Sequence, residues 1–520
     1  MYGTLVFIGL IFSSLLIYVI THVYAYFRDP KGLRKFHAIH PLAGFSHMPF
    51  ALIARKEARS QSIMEAHKRT GHRVLRTGPN GLTFNSLQAI KDIYGHGTPC
   101  GKDPQYQLLA GSHYHLADVV DKADHARKRK IMSSAYALKN LEDWEYKVAD
   151  KTARMLRQFD ARSTDIDPNN EIDYRSWTNF FSLDAIADIG LSAKLGFLDQ
   201  GGDRCTAVSP SGKTWQANYR DALYANSRAT SHLIWYYRWY PTLVWLSKTF
   251  SPYYRQLWRL NDDWDGIYLH LANQRLARYN ANEKLDDFFQ ALMTDKNGIP
   301  HNLEWGEIVA EVSIMMNAGS TTTAIAITNV MYYLLKHPQY MSRLRAEVDS
   351  VLDETEVVAP YAKVRHLPFL RACIDEALRI TPPTPQGLTR ETPPEGARID
   401  GEYIAGNVTV QMPAYVAHRN EEMFPDPETY NPDRWLGEKG KELGPYFIAF
   451  SAGARGCIGR NISYLEQTVV LASMVHRYDV ELVDPEYVPK RWETQNYHLG
   501  DLPIRVRRRA GRAEKVVVTD

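Results

Sequence analysis

Phe450-Ser451-Ala452-Gly453-Ala454-Arg455-Gly456-Cys457-Ile458-Gly459-Arg460 is the stretch whose reading decides the fold. It is a short glycine-punctuated loop with one cysteine, and it runs into an apolar helix marked by Ile462, Leu465, Val469, Val470, Met474 and Val475. Glycines at 453, 456 and 459 permit tight turns and a close approach of the backbone to a flat cofactor. Arg455 adds a fixed cation. A thiol at a helix N-terminus is expected to titrate low, because the dipole and the free amides favour the thiolate. Cys457 is therefore a candidate soft metal ligand. A lone cysteine in a turn is also compatible with a buried structural thiol, so the rest of the chain has to settle the choice.

The chain has 520 residues, 44% of them hydrophobic and 23% charged, an ordinary globular composition. That length allows about three average domains or one large one. A net charge of +3, with no basic block interleaved with aromatics, argues against a general nucleic-acid binder. The basic end, Arg505-Val506-Arg507-Arg508-Arg509, reads as a solvated tail. Cys100, Cys205, Cys373 and Cys457 are widely scattered, with no C-x-x-C pair and no zinc spacing. They suit a reducing compartment without a disulfide framework.

Leu5 to Tyr24 carries no Asp, Glu, Lys or Arg over about twenty residues, enough to cross a bilayer. Tyr18, Tyr24 and Tyr26 stand where an interfacial belt would lie, and Arg28, Lys31, Arg34 and Lys35 follow. The positive-inside rule then places everything after residue 28 in the cytosol. A cleavable signal peptide is disfavoured, since the charges lie on the wrong side and the apolar run is too long. The expected organisation is a membrane anchor over 1–27, a linker over 28–45 stiffened by Pro30 and Pro41, and one catalytic domain over 46–520.

Val74–Thr77 and Leu82–Phe84 read as two short strands around Gly78-Pro79-Asn80-Gly81, and Ser86 is placed to cap a helix over Leu87 to Tyr94. Residues 96–121 read as a long loop, 122–195 as helices broken near 165–170, and 200–213 as a flexible connection. The longest periodic segment is 303–336, roughly 50 Å of helix. Asn302 is its expected cap and Lys336-His337-Pro338 its stop. Its serines, threonines and asparagines make it a buried core helix rather than a second span. A helix over Leu370 to Ile380 and short strands near 399, 402–404 and 408–410 complete a mostly α chain with a small β portion.

Glu376-Ala377-Leu378-Arg379 sets an acid and a base at i, i+3 on one helix face. Asn431-Pro432-Asp433-Arg434-Trp435 lies between this pair and the cysteine loop, and Ala318-Gly319-Ser320-Thr321-Thr322-Thr323 lies on the long helix. Alone, the first is an ordinary surface pair and the last a small-residue packing patch. In this order, however, the chain resembles the cytochrome P-450 superfamily. The cysteine loop matches F-x-x-G-x-R-x-C-x-G at every fixed position. The acid–base pair matches the E-x-x-R helix, and 431–435 matches the P-E-R-F segment with Asp433 for Glu and Trp435 for Phe. The long helix matches A-G-x-D/E-T-T with Thr321 in place of the acid. Residues 74–106, including Tyr94-Gly95-His96-Gly97, resemble the fungal microsomal branch of the benzoate para-hydroxylase and pisatin demethylase type.

The resemblance implies a triangular, helix-rich fold with haem b between the long central helix and the cysteine helix. It implies Cys457 as the thiolate ligand of the iron, and Phe450 and Arg455 as further cofactor contacts. Asp124-His125-Ala126-Arg127-Lys128-Arg129 resembles the family's W-x-x-x-R helix, so His125 and Arg129, with Arg390, would meet the haem propionates. Glu376, Arg379 and Arg434 would form a buried network that retains the cofactor. Thr322 matches the oxygen-activating threonine, and Thr321 is a possible relay. The implied activity is insertion of one oxygen atom of dioxygen into a small to medium apolar substrate. Electrons would come from NADPH through a separate flavoprotein reductase, since no nucleotide-binding glycine fingerprint occurs. Arg127, Lys128, Lys130 and Arg460 offer a basic docking face. Substrate contacts are expected from 100–121, Met315–Thr322, Thr384–Leu388 and Tyr497–Leu499. The resemblance further implies the endoplasmic reticulum membrane and fungal secondary metabolism or aromatic oxidation. Two rivals are a haem-thiolate isomerase or dehydratase that uses no dioxygen, motivated by the missing acid at 321, and a non-catalytic membrane-anchored binding protein.

Overall fold

Trp305–Lys336 forms a 32-residue helix, about 48 Å long, and the other elements are arranged around it. From Thr323 to Tyr332 every residue is buried, as its near-continuous apolar character and uncharged polar groups require. It stops where expected, at His337, and Pro338 opens the next helix, Pro338–Asp349. Its start differs from expectation. Asn302 has a left-handed φ of 53°, and Glu304 occupies the cap position without a side-chain bond. The computed structural model describes residues 2–133, 135–136, 142–513 and 516.

Two glycines let the helix Tyr174–Leu191 press against this central helix. A Cβ on Gly319 would lie 2.5 Å from Ile186 Cγ1, and one on Gly190 would lie 2.4 Å from Met315 Cε. The cysteine helix, Arg460–Arg477, and the Glu376 helix, Pro368–Ile380, also pack on the central helix. A single large apolar core joins all four.

The β portion is a six-stranded sheet and several smaller pairings. The expected strands at 74–78 and 81–84 form an antiparallel pair, and Gly81–Phe84 then runs parallel to Thr409–Gln411. At the far edge, Gly101–Lys102 pairs with Arg390–Glu391, setting Lys102 opposite Arg390. That register matters for the site. The overall class is as expected: helix-dominated with a small sheet component.

Four local expectations need correction. Residues 200–213 are not a loose connection: Arg204–Val208 and Thr214–Asn218 form a hairpin around a turn with Gly212 at φ 86°. Trp215 pins it by packing on Gly266 and donating its indole N–H to Asp263 at 2.7 Å. The basic end is not a solvated tail. Pro503–Arg508 is a strand paired with Tyr478–Leu482 and Ile172–Asp173, and Arg509 reaches Asp349 at 2.6 Å. Ser86 does not cap its helix, because its hydroxyl donates to Asp400 at 2.6 Å instead. Lastly, residues 28–45 are docked on the body. Lys31 donates to Asn80 Oδ1 and to the Asn407 carbonyl at 2.8 and 2.7 Å, and Tyr26 packs on Phe45.

The N-terminal segment is a 27-residue helix, Tyr2–Arg28, but the expected transmembrane anchor is not supported. The span read over Leu5 to Tyr24 falls partly on side chains outside the described ones, 2–12, 14 and 15. Among the described residues no helix is long and apolar enough to cross a membrane. Thr21 and His22 interrupt the described half, both hydrogen-bonded to the Tyr18 carbonyl at 2.8 Å. All four cysteines are free thiols, in line with the absence of a disulfide framework.

Because Gly319 stands against Ile186, Gly319→Val should force the two helices apart or push Ile186 off its rotamer. The expected loss is about 1–3 kcal/mol of stability, read from denaturant unfolding. Gly212→Ala should cost less, since its surroundings are open and only its φ is strained.

Candidate active site

The cysteine loop is shaped before it meets any ligand. Cys457 N–H donates to the Phe450 carbonyl at 2.8 Å and Gly456 N–H to that of Gly453 at 3.0 Å. Gly453 is obligatory on two counts: its φ is 66°, and a Cβ there would sit 2.1 Å from the Tyr94 carbonyl oxygen. Ser451 shares the left-handed region at φ 58°. The loop delivers the sulfur to an internal cavity of about 460 Å³ and hands the chain to the cysteine helix at Arg460. A larger groove of about 810 Å³ lies under the N-terminal helix, but neither Cys457 nor the long helix lines it.

Cys457 is accessible and lines the cavity. Burial pushes its thiol up, against the Gly459 backbone N–H and the charges of Arg129 and Arg460. The helix terminus favours a low-titrating thiol, and burial acts in the opposite direction. Metal coordination would reverse this, since a bound cation deprotonates a thiol outright.

Across the cavity stands the central helix, with Ala318, Gly319 and Thr322 on the wall. Thr322 donates its hydroxyl to the Ala318 carbonyl at 2.8 Å, so the helix itself holds it in place. Thr321 does not join it: its side chain is buried and lies off the cavity wall. Thr323 also reaches the cavity and shares a hydrogen bond with Ser463 Oγ of the cysteine helix at 3.1 Å.

Between these walls lies a cluster of cations. His125, Arg129, Arg390 and Arg455, all expected from the sequence, line the cavity, and Lys102 joins them through its strand pairing with Arg390. Lys102, Arg129, Arg390 and Arg455 form no salt bridge among the described residues; each donates to backbone carbonyls instead. Arg129 reaches Gly456 O at 2.6 Å, Arg455 reaches Val119 O and Val120 O at 2.8 and 2.9 Å, and Arg390 reaches Thr389 O at 3.1 Å. Burial and mutual repulsion show in their titration. Arg455 is pulled down to about 10 by burial and Arg390, and Lys102 falls well below the usual lysine range by burial, Arg390 and Arg455. His125 is held neutral, at about 4, by burial and then by Arg455. Such a wall lacks negative charge. A pair of carboxylates on a flat cofactor, with iron at the thiol, fits it in charge and donor chemistry.

The loop is tied to the rest of the protein through one buried acid. Glu376 is wholly buried and accepts five hydrogen bonds: from Arg379 Nε and Nη2 at 2.8 and 2.9 Å, and from Arg434 Nε, Trp435 Nε1 and Asn431 N at 2.9 Å each. Arg379 continues to the His418 and Pro427 carbonyls. His418 then returns to the loop, because Ile448 N–H donates to its Nε2 at 2.9 Å. Its Nδ1 must carry the proton and donates to Arg379 O at 3.1 Å. Trp435, the departure from the family's phenylalanine, adds a donor that phenylalanine lacks.

Several expectations are redrawn here. Tyr497 and Leu499 do not line the cavity; the turn before them does, through Gln495 and Asn496, because Tyr497 N–H is tied to Pro383 O. Lys128 is buried between Glu307 and Glu311, and Arg127 is paired with Glu307 and Asp124, so of the expected docking face Lys130 and Arg460 are the two without a salt bridge among the described residues. Residues that the sequence did not single out are Lys102, Arg59, Ser231 and Trp235. Only the strand register could have found Lys102.

His418 gives a pH prediction. Its folded pKa is lowered to about 3 by burial and then by Arg379, against an ordinary value of 6.5. Below 6.5 the unfolded chain takes up a proton that the folded chain refuses, so stability is complete above 6.5 and is lost as pH falls towards 3. His115 and His498, also lowered to about 3, act with the same sign. Denaturant midpoints should fall steeply between pH 6.5 and 4, and His418→Gln should remove about one proton from that slope, about 1.4 kcal/mol per pH unit at most.

The comparisons with known proteins agree with this geometry. The family model described as Cytochrome P450 matches residues 46–507. Benzoate 4-monooxygenase bphA of Aspergillus niger is 28% identical over 458 residues, covering 85% of this chain and 86% of that protein. Cytochrome P450 monooxygenase atr2 of Stereocaulon alpinum is 28% identical over 474 residues, covering 88% of each. Tryprostatin B 6-hydroxylase of Aspergillus fumigatus is 26% identical over 483 residues, covering 92% of this chain and 78% of that protein. A crystal structure of a cytochrome P450 (CYP102L1) superposes with a TM-score of 0.68 at 20% identity, covering 87% of this chain and 94% of that one. The chain belongs to the cytochrome P450 family, as an oxidoreductase of the monooxygenase type for which these relatives are named.

Proposed function

We propose that the chain is a haem-thiolate monooxygenase in which Cys457 ligates the iron and Arg129, Arg390, Arg455, Lys102 and neutral His125 hold the two propionates. The observation that carries this reading is the pairing of a cavity-facing thiol with a facing threonine across a wall of cations that lack acidic partners. Bound there, haem supplies activation of dioxygen, one atom passing to the substrate and the other leaving as water with two electrons and two protons.

The chain's own residues do the remaining work. Gly459 N–H and Arg129 favour the thiolate form of Cys457. Thr322 offers a hydroxyl on the oxygen side that can pass a proton, its orientation set by the Ala318 carbonyl. Thr321 serves as no relay in this reading, since it lies off the cavity wall. Phe450 closes the loop side of the cavity against Tyr464, with ring centroids 5.0 Å apart. Electrons come from a separate NADPH-dependent flavoprotein, with Lys130 and Arg460 as the cationic contacts nearest the loop.

The catalytic domain in this reading is 46–520. Endoplasmic reticulum association in this reading is supported by apolar side chains exposed along the N-terminal helix, among them Ile17, Ile20 and Phe27. The relatives named for benzoate and for tryprostatin B support a reading in which the reaction is hydroxylation of an aromatic or secondary-metabolite substrate.

Coexpression with a fungal reductase under isotopically labelled dioxygen tests the proposal. Product should carry one labelled oxygen atom. Thr322→Ala should lower product formed per NADPH consumed by tenfold or more while leaving carbon monoxide binding intact. Product that forms without dioxygen would overturn the reading in favour of an isomerase or dehydratase.

A further inference from the structure

Residues 113–120 form a strap that gives Leu116 and Ala117 to the cavity wall, and three other elements hold it. On the cofactor side Lys102 donates to the Ala117 carbonyl, and Arg455 to those of Val119 and Val120 at 2.8 and 2.9 Å. Asp118 closes the strap on itself by accepting the His115 N–H at 2.8 Å. On its other side runs the first part of the central helix. A Cβ on Gly306 would lie 2.2 Å from the His113 ring, so the glycine lets the strap start flush against that helix. Glu304, Glu307 and Glu311 then recur at i, i+3 and i+7, one helix face. His113 Nε2 stands 3.2 Å from Glu304 Oε2, Lys128 donates to Glu307 Oε1 at 2.5 Å, and Leu116 N–H donates to Glu311 Oε1 at 2.9 Å.

These contacts are unequal. Glu304 is exposed at 81%, and an ion pair in water holds little. Glu311 is exposed at 2%, where a carboxylate accepting a backbone N–H makes a strong, charge-assisted bond. Lys128 neutralises it from 3.3 Å and is held independently by Glu307. Loss of the Glu311 carboxylate would therefore leave Lys128 paired, and would orphan the N–H of Leu116, a buried residue. Glu311 also precedes Ile314, Met315 and Ala318 by three, four and seven residues, so it lies on their side of the helix, and all three line the cavity. One buried side chain thus ties two parts of the cavity wall together.

Resting on the haem-thiolate reading, we propose that Glu311 is a positioning residue for the substrate. It does not line the cavity itself; by holding the Leu116 N–H it latches the strap to the central helix and so limits the bulk of the ligand the cavity accepts. The latch is the hydrogen bond and not the charge. A neutral acceptor of the same length at 311 serves equally, whereas an apolar residue of similar size frees the strap. Released on that side, the strap can withdraw and admit a larger ligand, while Lys102 and Arg455 stay with the cofactor.

Imidazole and a biphenylyl-imidazole form the probe pair: both bind haem iron with a shift of its absorption band, and they differ in bulk. They are compared in preparations whose reduced, carbon monoxide-bound spectrum carries the thiolate signature. A wild-type protein without that signature refutes the haem reading and not the latch, which hydrogen exchange then tests by itself. Glu311→Leu should raise the affinity of the bulky probe relative to imidazole by about fivefold, the worth of one hydrogen bond. Glu311→Gln should stay within about twofold of wild type. An unchanged or lowered ratio in Glu311→Leu overturns the proposal, and so does a Glu311→Gln that behaves like Glu311→Leu. Where Glu311→Leu does not fold, Lys128→Met/Glu311→Leu, which removes the buried pair together, carries the same comparison. Hydrogen exchange of the wild-type chain, read by mass spectrometry, needs no variant. The Leu116 amide should exchange far more slowly than those of Gly111 and Ser112, which have no hydrogen-bond partner among the described residues. Equal rates overturn the proposal.

Discussion

The carboxylate of Glu376 is the constraint on which the site depends. It sits at zero exposure in the packed core and would be costly there alone, yet five donors converge on it, two from Arg379 on its own helix and three from the 431–435 segment. A buried charge satisfied so completely fixes geometry, because any shift of the 431–435 segment strands the acid. Through Arg379 and His418 that fixity passes to Ile448, two residues before Phe450, and so to the loop that carries Cys457. The thiol is held in position by this hydrogen-bonded path together with the apolar core, against which Phe447, Phe450 and Ile458 pack.

The opposite imbalance rules the cavity wall. Lys102, Arg129, Arg390 and Arg455 are brought together by the sheet, the loop and one helix, and they repel one another in a partly desolvated space. Two carboxylates would relieve that repulsion, so cofactor binding and stability are linked on physical grounds. The buried network is satisfied within the chain, whereas the cation cluster has no acidic partner among the described residues. The first holds the thiol, and the second selects what lies against it.

Much of this was legible in the sequence because it is local. The cysteine loop, the Glu376–Arg379 pair and the Ala318–Thr323 patch each lie within one turn or loop, and their order along the chain carries the family pattern. What was not legible depends on pairing at a distance. Lys102 enters the cation cluster only through its register with Arg390, 288 positions away, and Gln495 replaces Tyr497 on the wall because a hairpin turns one way rather than the other. Glycine and serine between 200 and 213 suggested slack, while the anchoring tryptophan, Trp215, lay just beyond. The thiol's titration is likewise set beyond the loop, since burial comes from the whole fold and pushes the Cys457 thiol up.

The most direct test of the account is the reduced minus reduced-plus-carbon monoxide difference spectrum of the full chain expressed with haem available, for wild type and for Cys457→Ser. The account predicts a red-shifted Soret band of the thiolate-ligated type in wild type and its loss in the variant, with secondary structure unchanged by circular dichroism. A wild-type protein that takes up no haem, or a band that survives in Cys457→Ser, would contradict it.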